Sequence, residues 1–103
     1  MKDIYYQISG EGFPIVFLHG NGEDHHIFDQ AVLQLSKQYQ CICIDSRYHG
    51  QSIHAGELSY QQMVKDVIGV VDELKLEAYD IIGFSDGAII ALLLAQCDLR
   101  LKH

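Results

Sequence analysis

Ile81-Ile82-Gly83-Phe84-Ser85-Asp86-Gly87-Ala88 is the stretch on which the reading of this chain turns. An apolar strand runs through a serine flanked by glycines into an apolar helix, the sequence form G-x-S-x-G of a nucleophile elbow. A serine on so sharp a turn takes a strained backbone conformation, and Gly83 and Gly87 leave room for neighbouring backbone. Ser85 then projects from the carboxyl end of a sheet, and 18 residues follow it.

Upstream, the pattern alternates strand and helix. Ile15 to Leu18 is a continuous apolar run, as in a strand covered on both faces, and His19-Gly20-Asn21-Gly22 ends it. Phe28, Val32, Leu35 and Tyr39 then recur at helical spacing, with Asp24 or Asp29 as the N-cap. Cys41 to Ile44 is the next buried strand, followed by the polar loop Asp45 to Ser52. Ser59-Tyr60-Gln61-Gln62 reads as a capping box in which Gln62 reaches back to the cap. It opens a helix with one apolar face at Tyr60, Val64, Val67, Val71 and Leu74. Tyr79 to Ile82 is the third strand, and Ala88 to Ala95, apolar all round, predicts a buried helix. Ile4 to Ile8 and the turn Ser9 to Gly12 predict an amino-terminal hairpin. Right-handed crossovers between these strands give an α/β fold, a parallel sheet in a three-layer α/β/α sandwich, as a single domain over residues 1–103. Ligands bind such sheets at the carboxyl ends of the strands, where His19 to Gly22, Asp45 to Ser52 and Ser85 to Gly87 all fall.

Composition narrows the function. The chain has 103 residues and 14 acidic against 7 basic side chains, a formal charge of −7. That argues against a nucleic-acid partner, which needs a basic face. The longest apolar run falls short of the ~20 residues that span a bilayer, and Met1 to Tyr5 has no apolar signal core, so the reading is a cytoplasmic protein without a membrane partner. Cys41 and Cys43 alternate with isoleucines on one strand face and read as small hydrophobes, and with Cys97 they form no disulfide framework or C-x-x-C motif. His25-His26, and His49 with His54, lack metal-ligand spacing on a helix or strand, so no metal is expected.

Three motifs in order give a resemblance to the α/β-hydrolase fold family. His19-Gly20-Asn21-Gly22 is similar to its oxyanion loop, Asp45-Ser46-Arg47-Tyr48-His49-Gly50-Gln51-Ser52 to its D-x-R-x-x-G-x-S loop, and Gly83-Phe84-Ser85-Asp86-Gly87 to its elbow. The resemblance covers essentially the whole chain. It implies a serine hydrolase acting on a small-molecule acyl compound, an ester or related bond, without a cofactor. Ser85 would be the nucleophile, and the backbone N–H groups of Asn21 and Asp86 would form the oxyanion hole. Asp86's own carboxylate is expected to face the first turn of its helix, where its charge suits the dipole.

One departure limits the implication. The family orders its triad as serine, acid, histidine, and after Ser85 the remaining acids are Asp86 and Asp98 and the remaining histidine is His103. Asp98 and His103 should lie at the opposite end of the sheet, so the expected fold is a truncated α/β-hydrolase fold. Without a general base, Ser85 stays a poor nucleophile, and this chain alone is expected to be inactive. His19, His25, His26, His49 and His54 belong to loops near the site, but a base needs hydrogen-bond geometry and not vicinity, and His19 is read as bracing its loop. Tyr79 to Ile82 is expected to be a bare edge strand, open to self-association.

Two other readings stand beside this one. A non-catalytic binding or scaffold fragment would use the fold without the chemistry. A dinucleotide-binding module would use Gly20-Asn21-Gly22 with Asp45 as the ribose acid, but His25 occupies the third glycine position, and Glu23 and Asp24 put negative charge where pyrophosphate would sit.

Overall fold

Why the apolar runs become strands is visible in how each is enclosed. The computed structural model describes residues 3–103. Its elements are β1 (Tyr6–Ser9), β2 (Phe13–Leu18), a 3₁₀ turn (His25–Phe28), α1 (Asp29–Leu35), β3 (Tyr39–Ile44), α2 (Tyr60–Glu73), β4 (Asp80–Gly83) and α3 (Asp86–Cys97). The sheet order is β1-β3-β2-β4. β2 is thus central, parallel to both β3 and β4, with Leu18 in register with Ile44 on one side and Gly83 on the other. All three loops after these strands therefore leave the sheet at one level and at one end.

Alternation along the strands sorts side chains between two cores. Val16, Leu18, Ile42 and Ile44 face Met63, Val64, Val67, Val70 and Val71 of α2 and Ile90 and Leu94 of α3. Ile15, Phe17, Cys41 and Cys43 face Phe28 on the other side, with Val32 and Leu35 of α1 packed against them. That is the three-layer α/β/α arrangement, and it places both strand cysteines on one buried face. Burial, reinforced by Cys41 and the carboxylates of Asp29 and Asp45, pushes the Cys43 thiol up to about 12, which keeps it an uncharged hydrophobe.

The amino-terminal hairpin is not formed. β1 pairs antiparallel with β3, from Tyr6 against Ile44 to Ser9 against Cys41, so β3 lies between β1 and β2. The turn signal at Ser9 to Gly12 is real, but it carries the chain across β3 instead of back along β1. Gly10 and Gly12 have φ of +83° and +132°, and a Cβ on either would strike the backbone of Ser36 to Tyr39, the link from α1 into β3.

β4 is not a bare edge either. Tyr79 donates its N–H to Arg100 (3.0 Å), Lys102 donates to the Tyr79 carbonyl (2.8 Å) and Ile81 donates to the His103 carbonyl (2.8 Å). The last residues thus lie beside β4 as a parallel bridge, Tyr79 opposite Leu101. The self-association argued from Tyr79 to Ile82 loses the unpaired edge on which it was based. Asp98 and His103 do lie at the amino end of β4, where Asp98 accepts from the Tyr79 hydroxyl (2.9 Å) and His103 pairs with Asp80 (3.0 Å).

Two helix details differ from the sequence reading. Ser59 Oγ accepts from the Gln62 N–H (3.1 Å), but the Gln62 amide turns away from the cap to Asp66 (3.0 Å), because Asp66 lies one turn on along the same face. α3 is not buried all round: Ile90 and Leu94 are sealed at 0 % exposure, whereas Leu92 is 68 % exposed. The sheet and α2 cover one side of α3, and Leu92 projects from the other. Leu94→Ala is expected to cost about 2–5 kcal/mol of stability by opening a cavity, and Leu92→Ala within about 0.5 kcal/mol, both read from urea denaturation midpoints.

Candidate functional site

The elbow is built by close approach of backbone. Ser85 has φ +58° and ψ −116°, a conformation that costs a non-glycine residue about 1–3 kcal/mol and persists because its surroundings impose it. The imposing contacts can be named. Phe84 donates its N–H to the Leu18 carbonyl at the end of β2 (3.0 Å). A Cβ on Gly87 would run into that same Leu18 carbonyl, and one on Gly83 would stand 2.5 Å from the Gly87 oxygen. A side chain at either glycine would push the helix start off the sheet, so both are demanded by packing.

The loop after β2 meets the elbow directly. A Cβ on Gly20 would lie 3.0 Å from Ser85 Cβ, so the bare backbone of His19 to Gly22 passes against the serine. The amides of Asn21 and Asp86 donate to no backbone or side-chain acceptor among the described residues. The Asp86 amide is the first of the orphan N–H groups that begin every helix. Two unpaired donors beside one serine can bind a developing oxyanion. Next to them opens a cavity of about 440 Å³, whose walls include Asn21, His49, Leu58, Tyr60, Met63 and Asp86.

Asp86 does not stay on its own helix turn. Its Oδ1 accepts from the Tyr60 hydroxyl (2.9 Å), which closes the cavity wall between the first turns of α2 and α3. That hydrogen bond raises the Tyr60 pKa, since the ionised phenol would lose it and face the carboxylate. Tyr60 is a residue the sequence reading assigned to the apolar face of α2; nothing in its spacing marks a partner 26 residues away.

The histidines are tied elsewhere. Ser46 donates its N–H to His19 Nε2 (2.9 Å), so His19 carries its proton on Nδ1 and gives it to the Gly20 carbonyl (2.7 Å). His19 is buried and does brace its loop, joining it to the loop after β3. His49 repeats the pattern: Gly22 donates to Nε2 (3.0 Å), and Nδ1 faces the Arg47 carbonyl (2.9 Å). With both nitrogens engaged, neither imidazole has a lone pair free to take a serine proton. Among the described residues no side chain hydrogen-bonds Ser85 Oγ.

Asp45 organises the middle loop. One oxygen accepts from the His25 N–H (2.8 Å) and the His25 imidazole (2.7 Å), the other from the Gln51 N–H (2.9 Å). Burial alone would raise its pKa, but these donors hold the carboxyl below the usual range. The arrangement also removes Asp45 from the dinucleotide reading, because a fully buried carboxylate with both oxygens engaged has nothing to offer a ribose. Arg47 grips Asp66 of α2 with two N–H groups (3.0 and 2.8 Å), fastening the loop to the helix that carries Tyr60.

Known proteins show the same frame. The sequence model of the family described as alpha/beta hydrolase fold matches residues 14–97. The chain is 36% identical over 93 residues to 3-oxoadipate enol-lactonase 1 of Acinetobacter baylyi, covering 88% of this chain and 35% of that protein. Among solved structures, a marine microorganism esterase superposes with a TM-score of 0.93 at 30% identity, over 99% of this chain and 40% of that one. The enol-lactonase of Burkholderia xenovorans LB400 does so with 0.91 at 30% identity, over 96% and 40%. The chain thus spans between a third and two-fifths of the length of these relatives.

Asp45 sets an expected pH dependence. Because its folded pKa is depressed, the unfolded chain takes up its proton first, and the contribution is complete above the ordinary value of 3.8 and lost as pH falls through the folded one. Asp45→Asn should cost about 1.5–3 kcal/mol near neutrality and flatten the acid limb of stability against pH. Urea midpoints of both proteins across that range provide the check, with Asp98 sharing what remains of the limb.

Proposed function

Since the chain belongs to the α/β-hydrolase fold family, with esterase and lactonase relatives, we propose that Ser85 is the nucleophile of an acyl hydrolase acting on an ester or lactone. The observation that carries this reading is the strained Ser85, flanked by two residues, Asn21 and Asp86, whose backbone amides are unpaired and which line a cavity. In it, Ser85 Oγ attacks the acyl carbonyl, the carbonyl oxygen takes the negative charge, and the N–H groups of Asn21 and Asp86 donate to it. Main-chain donors fixed by the fold need no reorganisation as that charge develops. The Asp86 carboxylate is held to Tyr60 on the cavity wall, so its charge is partly compensated by a hydrogen bond.

The proton on Ser85 Oγ needs a base; among the described residues no histidine hydrogen-bonds that oxygen, and the two that line the cavity, His19 and His49, have both ring nitrogens engaged. The base and its acid partner are therefore assigned to residues outside these 103, and the chain alone is assigned negligible turnover. Loss of the base alone costs about 10⁶ in turnover in a serine hydrolase studied this way.

Fluorophosphonate labelling distinguishes the outcomes. The 103-residue chain joined at His103 to the remaining part of a related lactonase is expected to label, and Ser85→Ala in that chain to abolish labelling. Equal labelling of the two would remove Ser85 as nucleophile. Ser85-dependent labelling of the 103-residue chain alone would overturn the assignment of the base elsewhere.

A further inference from the structure

His25 and His26 are adjacent, and on a regular helix or strand adjacent side chains point apart; hence the expectation of no metal. The 3₁₀ turn that begins at His25, and the loop that caps it, alter that geometry. The two imidazoles stack with ring centroids 4.1 Å apart. One ligand atom each from Asp24, His25 and His26 lies within 4.8 Å of the others.

What surrounds these imidazoles is more telling than their proximity. His25 Nδ1 donates to Asp45 (2.7 Å), and His26 Nδ1 donates to Asp29 (3.1 Å). A carboxylate behind Nδ1 fixes the tautomer, turns the ring, and leaves the lone pair on Nε2. That is the outer-sphere arrangement of a metal-ligating histidine, here present twice in succession. Neither Nε2 has a hydrogen-bond partner among the described residues, and the His25 nitrogen is not sealed from solvent. Asp24 accepts from the His26 N–H through Oδ1 (2.9 Å), which leaves Oδ2 for a ligand. Glu23 shares the open cavity beside Asp24 and His26, so the local field is negative.

We propose that Asp24, His25 and His26 bind a first-row divalent transition ion such as Zn²⁺ through two imidazole Nε2 atoms and one carboxylate oxygen, with water completing the sphere. Imidazole favours Zn²⁺, Co²⁺ or Ni²⁺ over Mg²⁺ and Ca²⁺, which take oxygen ligands. Bonds of about 2.0–2.1 Å require the ligand atoms to draw closer than they now stand. His26 can supply that movement, being 65% exposed, while His25 is held by Asp45. Asp24 follows Asn21 by three residues, so a bound ion would tie the loop carrying an oxyanion donor to the buried Asp45. The site is independent of the assignment of Ser85.

The test uses the chain without an affinity tag, stripped with chelator. Zn²⁺ is titrated in competition with a chelating dye, and Co²⁺ by its visible absorption. One equivalent per chain is expected, with a rise in melting temperature. His26→Ala should abolish stoichiometric binding. Asp29→Asn, which leaves every ligand atom in place, should weaken it by about 10-fold or more. His54→Ala and His103→Ala should change nothing. His26 and Asp29 are exposed, and circular dichroism verifies that the variants fold. Absence of stoichiometric binding, or binding that survives His26→Ala or is insensitive to Asp29→Asn, would overturn the proposal.

Discussion

The Leu18 carbonyl at the end of β2 is the point on which the site depends. It accepts the Phe84 N–H, and the same group leaves no space for a side chain at Gly87. Because β2 is the central strand, that contact is referenced to the whole sheet and not to a loop. Ser85 can occupy a strained conformation because the strand before it is in register with β2 and the helix after it is seated by Ile90 and Leu94. The energy that holds the turn comes from packing on both sides of it, which is how a locally unfavourable conformation survives.

From that point outward the three loops are joined by polar contacts instead of apolar ones. His19 spans from its own loop to Ser46, His49 returns from the loop after β3 to Gly22, and Asp45 receives His25 and Gln51. Each is a buried or half-buried polar group fully paired, and no buried side-chain nitrogen or oxygen among the described residues lacks a partner. The same network explains why the two imidazoles that line the cavity, His19 and His49, offer no base. Both ring nitrogens of each are spent on holding loop backbone, while the Asn21 and Asp86 amides stay unpaired.

Much of this was legible beforehand. The strands from Ile15, Cys41 and Tyr79, the amphipathic helix from Tyr60, the shared strand face of Cys41 and Cys43, and the bracing role of His19 follow from short-range patterns, because burial and backbone period act residue by residue. The failures share a cause. The hairpin rests on the turn signal at Ser9 to Gly12, yet β3 is inserted between the two strands; the bare edge rests on the absence of the further strands that the family's sheet carries, yet Arg100 to His103 pair with β4. Strand order and edge pairing are decided by which surfaces meet, which no local pattern encodes.

By itself, the sequence determined the elbow, the alternation of strand and helix, and the end of the sheet at which the loops gather. Those depend on glycine's lack of a Cβ and on apolar periodicity, both properties of single residues and their near neighbours. The tertiary structure decided the order of the strands, the seating of Asp86 against Tyr60, the commitment of each histidine, and the meeting of Asp24, His25 and His26. Those are pairings between residues far apart in the chain, Ile15 with Asp80 in the sheet and Gly22 with His49 between loops, set when the elements pack together, and a side chain's partner is not written in its own identity.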